Sequence, residues 1–151
     1  MDTVKSIDVL NSLIEVNNDR IEGYKTALTE THEADVRLLF EECAQTSQTC
    51  HKELSHEIRT LGGTPLVGTG VAGKFFRIWM DVKAAMTITD RRTILHSCQY
   101  GDEMAIQSYE IVLTKHLEDL TIPQQNMVKA QSVLIKADHD GVKNLRDMSP
   151  K

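Results

Sequence analysis

With 151 residues, a net charge of −5, 40% hydrophobic and 26% charged residues, the chain suits one domain with a real core and is too short for two. That balance argues against disorder. Scattered Lys and Arg give no electrostatic footprint for nucleic acid or anionic lipid, and no run reaches the roughly 20 apolar residues of a membrane span. Cys43, Cys50 and Cys98 form no CxxC pair and read as small buried apolar residues in a reducing compartment. The charges at Asp2, Lys5 and Asp8 interrupt any export signal, so the expected location is cytoplasmic.

Apolar residues recur at three- and four-residue spacing, the signature of amphipathic helices. The first segment covers about 3–29, with Ile7, Leu10, Ile14, Asn17, Ile21, Tyr24 and Leu28 on one stripe. A second covers about 34–61, with Thr31 as the expected N-cap and Val36, Leu39, Cys43, Cys50, Leu54, Ile58 and Leu61 inward. Gly62-Gly63-Thr64-Pro65 then supplies the glycine-then-proline stop of a helix C-terminus.

Residues 67–73 are Gly-rich and match G-x-G-x-x-G from Gly68 to Gly73. The motif follows a helix and a proline rather than a strand, so its dinucleotide reading fails on context. Phe75, Phe76, Trp79, Val82 and Met86 predict a short amphipathic helix over 74–86, inside a long crossover. Thr89 and Asp90 are expected to cap a third long helix to about 117, with Ile94, Leu95, Cys98, Asp102, Ala105, Ile106, Tyr109, Val112 and Leu113 inward. Thr121-Ile122-Pro123-Gln124 opens a fourth, running to about 146 through Met127, Gln131, Leu134, Asp138, Val142 and Leu145. The predicted fold is all-α, a single domain over 1–151 with four long helices.

Polar residues on the inward stripes are where a site would show. Asn17, Cys50, Asp102 and His139 supply one per helix, and helices of alternating direction would bring them to one mid-bundle layer. Asp102 and His139 are the candidate metal ligands, with zinc or iron as the cofactor to consider. A competent di-iron site needs around four carboxylates and two histidines, so the same residues also fit a purely structural role, pairing with each other or with Tyr24 or Tyr109. His51 and His56 read as part of a solvated, mixed-charge face.

The run from Leu10-Asn11 to Glu22-Gly23-Tyr24, Leu61-Gly62-Gly63-Thr64-Pro65, Trp79-Met80, Gly101-Asp102-Glu103, Tyr109 and His139-Asp140 resembles a bacterial ferritin-like family of unknown function, related in fold to bacterioferritin and rubrerythrin. The resemblance implies a ferritin-like four-helix bundle with a long crossover between the second and third helices. It places the first-helix glutamate position at Asn17, the second-helix E-x-x-H at Ser47 and Cys50, the third-helix carboxylate at Asp102 and the fourth-helix histidine at His139, with Lys136 three residues before it. More than half of the di-iron ligand set is therefore replaced. The expected function is a non-enzymatic bundle module, stress-related as many ferritin-like proteins are. It would act as a homo-oligomer, a dimer in the simplest case, or through a protein partner. Phe75, Phe76 and Trp79 are the apolar residues in view for a dimer contact. The alternative is a mononuclear metal protein or a residual di-iron oxidoreductase using Asp102 and His139 with Cys50, and Glu22 or Glu103 from the flanks.

Overall fold

The computed structural model describes residues 2–68 and 91–150, and these contain four long helices and no strand. Helix α1 spans Thr3–Glu30, α2 spans Ala34–Thr60, α3 spans Arg91–Lys115 and α4 spans Ile122–Asp147, with a 3-10 turn at Leu117–Asp119 before α4. The expected helix over 74–86, with its Phe75, Phe76 and Trp79, and the expected Thr89-Asp90 cap lie outside the described residues.

Local sequence sets the helix ends. Asp2 caps α1 by accepting from the Val4 and Lys5 amides. Thr31 is the C-cap of α1 rather than the expected N-cap of α2, and its carbonyl accepts from Arg37 Nη1 at 2.8 Å. Glu33 takes the α2 N-cap with no side-chain bond to the helix. At the other end of α2, Gly62 sits at φ 84°, where an L side chain is strained. The Gly62 and Gly63 amides donate back to Arg59 and Ile58 carbonyls, both at 2.9 Å, which closes the helix as a Schellman motif. Thr121 and Gln124 form the reciprocal capping box expected for α4.

Side-chain pairings give the helix directions. From Asn17 with Tyr109 to Arg20 with Asp102, residue numbers rise along α1 as they fall along α3, so these two are antiparallel. Gln124 with Glu57 and Gln131 with Cys50 make α2 and α4 antiparallel in the same way. Short links make α1 and α2, and α3 and α4, antiparallel hairpins, so every neighbouring pair alternates and α2 and α3 run the same way on one diagonal. After α2 the chain turns back along α1. Asn11 bonds the Thr64 carbonyl and the Leu66 amide, and Asn18 Nδ2 reaches the Gly68 carbonyl at 2.8 Å.

Among the described residues, two apolar clusters fill the bundle. One gathers Leu10, Leu13, Ile14, Leu54, Ile58, Tyr109, Val128 and Ile135 near the start of α1. The other gathers Tyr24, Phe40, Cys43, Leu95, Cys98 and Val142 near its end. The α4 stripe differs by one residue from expectation. Leu134 is 47% exposed while Ile135 is fully buried, so the interior face is Gln124, Val128, Gln131, Ile135 and Val142. No described helix is long and apolar enough to cross a membrane.

Candidate functional site

Between the two apolar clusters lies a layer built around a cation supplied by the chain. Arg20 on α1 shares its helix face with Leu13, Asn17, Tyr24 and Ala27, three and four residues apart, so its side chain has no direction but inward. It is completely buried. Its Nε donates to Asp102 Oδ1 on α3 at 3.0 Å, Nη1 donates to Ser47 Oγ on α2 at 2.5 Å, and Nη2 meets Asp138 Oδ2 on α4 at 3.3 Å. All four helices thus contribute to one guanidinium. The second oxygen of Asp102 accepts from Tyr24 OH at 2.7 Å, and the Arg20 guanidinium carbon lies 5.4 Å from the centre of the Tyr24 ring.

The electrostatics follow from burial and partners. Burial is the largest single influence and disfavours the Arg20 charge, but Asp102, adjacent and equally buried, together with Tyr24, Cys43 and Asp138 outweighs it and drives the guanidinium pKa above its ordinary value. Asp138 is a weaker partner. Its carboxyl is raised above the usual range because burial outweighs the attraction of Arg20, and nearby Asp102 adds repulsion. Asp102 is therefore the principal counter-charge and Asp138, at the solvent edge with 14% side-chain exposure, the secondary one. Burial and the Asp102 charge also hold the Tyr24 hydroxyl and the Cys43 and Cys98 thiols protonated, and Cys50 is pushed up to about 12, chiefly by burial. Thiols in that state are poor nucleophiles and poor metal ligands.

A second polar chain crosses the bundle one turn toward the start of α1. Asn17 Nδ2 donates to Tyr109 OH at 2.8 Å, Tyr109 OH donates to Gln131 Oε1 at 2.7 Å, and Gln131 Nε2 donates to Glu53 Oε1 at 3.0 Å. Gln131 Nε2 also approaches the Cys50 carbonyl at 3.5 Å, and the Cys50 side chain hydrogen-bonds with Tyr109, so Cys50 joins this chain through both its backbone and its thiol. Asn17 Oδ1 is buried with no hydrogen-bond partner among the described residues.

The four residues singled out from the sequence therefore fall in three places. Asn17 and Cys50 belong to the Tyr109 chain, Asp102 to the Arg20 layer, and His139 to the outer seam of α3 and α4. There His139 Nε2 meets Glu103 Oε2 at 2.8 Å and Nδ1 meets Asp140 Oδ1 at 3.1 Å, with Gln99 also donating to Glu103. Although burial opposes its charge, the two carboxylates raise the His139 pKa. Glu22, considered as a flank ligand, is exposed. Sequence reasoning missed Arg20 and Ser47 as partners. Their signal was the helical spacing of Arg20 from Asn17 and Tyr24.

The donor set does not fit a pair of irons. Both Asp102 oxygens are engaged, a guanidinium fills the centre, and no group of three or more His, Cys, Asp or Glu side chains able to hold a metal occurs among the described residues. The class defined here is a protein whose described residues form four long helices, with an interior polar layer organised by an arginine. Its residues 5–115 match the model of a family described as Domain of unknown function (DUF2383), and the chain belongs to that family. No curated protein and no solved structure matches it.

Proposed function

We propose that this is a ferritin-like bundle with a degenerate di-iron site, in which Arg20 does the charge-balancing that metal ions do in di-iron bundles. In this reading the protein works without chemistry of its own, as a self-associating or protein-binding module. The observation that carries it is the fully buried Arg20 guanidinium, bonded to Asp102, Ser47 and Asp138 from the three other helices. Metal-site carboxylates in such bundles project inward from facing helices. Here the inward carboxylates meet a covalently attached cation that cannot be exchanged or reduced.

The ferritin-like assignment draws support from the helix directions, in which α2 and α3 run the same way and the chain after α2 starts back along α1. Replacing a metal by Arg20 carries a cost in desolvation, since buried ion pairs are weak sources of net stability. Its benefit is specificity, because a guanidinium that needs one partner from each of three neighbours fixes their register.

Elemental analysis of protein purified without a histidine tag tests the metal part, with iron, zinc and manganese all expected far below one per chain. Two irons per chain would overturn it. Light scattering tests the association part, where a strict monomer up to millimolar concentration removes self-association.

A further inference from the structure

The two outer faces of the bundle carry opposite charges at matched spacing. On α1, Asp8, Glu15 and Glu22 recur every seven residues. On α4, Lys129, Lys136 and Lys143 recur at the same interval and all three are exposed. Seven residues advance about 10.5 Å along a helix, so the two rows have one repeat. A groove of about 370 Å³ lies between α1 and α3, with Asp8 and Glu15 on its rim and Val9, Ser12, Ile111 and Val112 among its lining residues. Ile111 is 43% exposed there. On α4, Val133 stands between Lys129 and Lys136, 65% exposed, flanked by the small exposed residues Ala130 and Ala137.

We infer that the α1–α3 groove receives the α4 ridge of a second copy of this chain, with Val133 seated over Val9, Ile111 and Val112 while Lys129 and Lys136 reach Asp8 and Glu15. The inference rests on the self-association reading above and names its surfaces. Charge complementarity selects the occupant. The groove presents Asp8 and Glu15 beside Val9, Ile111 and Val112, with Ser12, Ser108 and the Asp119-paired His116 completing its lining, and the ridge offers an apolar residue between two bases at the same repeat. Lys136 already meets Glu110 of its own chain at 3.7 Å, but that pair is half exposed and easily exchanged.

Groove and ridge are different surfaces, so a single contact leaves a free groove on one copy and a free ridge on the other. Two copies that exchange both contacts form a two-fold dimer, and a head-to-tail repeat of one contact closes into a ring or runs on as a ladder. The apolar contact is small, so the complex is weak and its charge pairs dominate the salt response.

Sedimentation velocity of the full chain tests this. Wild type is expected to show concentration-dependent oligomers near 0.01 M salt, where the screening length is about 30 Å, and to dissociate near 1 M, where it is about 3 Å. Lys129→Glu/Lys136→Glu and Asp8→Lys/Glu15→Lys are each expected to weaken association by more than roughly tenfold, since each places like charges together. Mixing the two variants is the decisive arm. The native groove of the first meets the native ridge of the second, and the two reversed surfaces also carry opposite charges, so the mixture is expected to regain the association that each variant alone has lost. Circular dichroism showing both variants fully helical excludes misfolding as the cause. Wild type that remains monomeric would overturn both this inference and the self-association reading. Wild type that associates while both variants associate equally well would overturn the surfaces alone.

Discussion

Replacing Arg20 by Met keeps an unbranched side chain of similar reach and removes the cation. Asp102 then keeps only its Tyr24 bond, Ser47 Oγ loses its donor, and no charge within the layer opposes the two carboxylates. Breaking a buried pair by deleting one partner costs about 3–5 kcal/mol, and the absence of solvent at Arg20 and Asp102 places this pair in that class. For a domain of this size the loss lowers Tm by about 10 °C or more. Arg20→Met/Asp102→Asn removes both charges and leaves an acceptor for Tyr24. It is expected to recover about 2–3 kcal/mol relative to the sum of the two single variants, a coupling characteristic of residues in direct contact.

The pH dependence gives a separate check. Asp138 is already raised by burial against the pull of Arg20, and losing that pull raises it further. A carboxyl whose folded pKa lies above its unfolded value adds stability at low pH and loses it as pH climbs through the folded pKa. The deficit of Arg20→Met is therefore expected to be smaller near pH 5 than near pH 8. Urea unfolding followed by circular dichroism reads both quantities. A cost below about 1 kcal/mol, unchanged with pH, would refute the reasoning, because that is what a solvated surface pair gives.

His139→Gln is expected to narrow the stability gap to wild type as pH rises. The raised His139 pKa means that its bonds with Glu103 and Asp140, and the attraction of Asp102, stabilise below the ordinary histidine value and fade above the folded one. Thermal melts at about pH 6 and about pH 9 compare the two regimes. Tyr109→Phe leaves Asn17 Nδ2 and Gln131 Oε1 without their shared partner, and is expected to cost about 1–3 kcal/mol in urea unfolding. Gly63→Ala would place a Cβ 2.9 Å from Ile7 Cδ1 and 3.1 Å from buried Ile58 Cγ2, so an overpacking loss of about 1–3 kcal/mol is expected in the same assay.

The long helices were legible because their signals are local. Thr121, Pro123 and Gln124 act within one turn, and Gly62 closes α2 at a positive φ that few other residues adopt, while Gly63 leaves no room for a side chain beside Ile7 and Ile58. The inward positions of Asn17, Asp102 and Gln131 followed from spacing alone, and all three are buried. Two features were hidden for physical reasons. Arginine is among the residues least often buried completely, so position 20 reads as polar surface until its partners on three other helices are known. His139 follows the inward Asp138 by one residue, about 100° around the helix, which turns it from the interior to the α3–α4 seam. Thr31 illustrates a smaller ambiguity, since a threonine between two helices can close the first or open the second.

The central claim is that the cation inside this bundle belongs to Arg20, and nitrogen-15 NMR of the arginine side chains tests it most directly. One guanidinium is expected to show an Nε–H and resolved terminal N–H groups exchanging far more slowly with solvent than those of exposed arginines. These signals should disappear in Arg20→Met and be unmoved by added iron or zinc. If every arginine exchanges quickly, or if metal displaces the slow signal, the interior charge is held differently and the account fails.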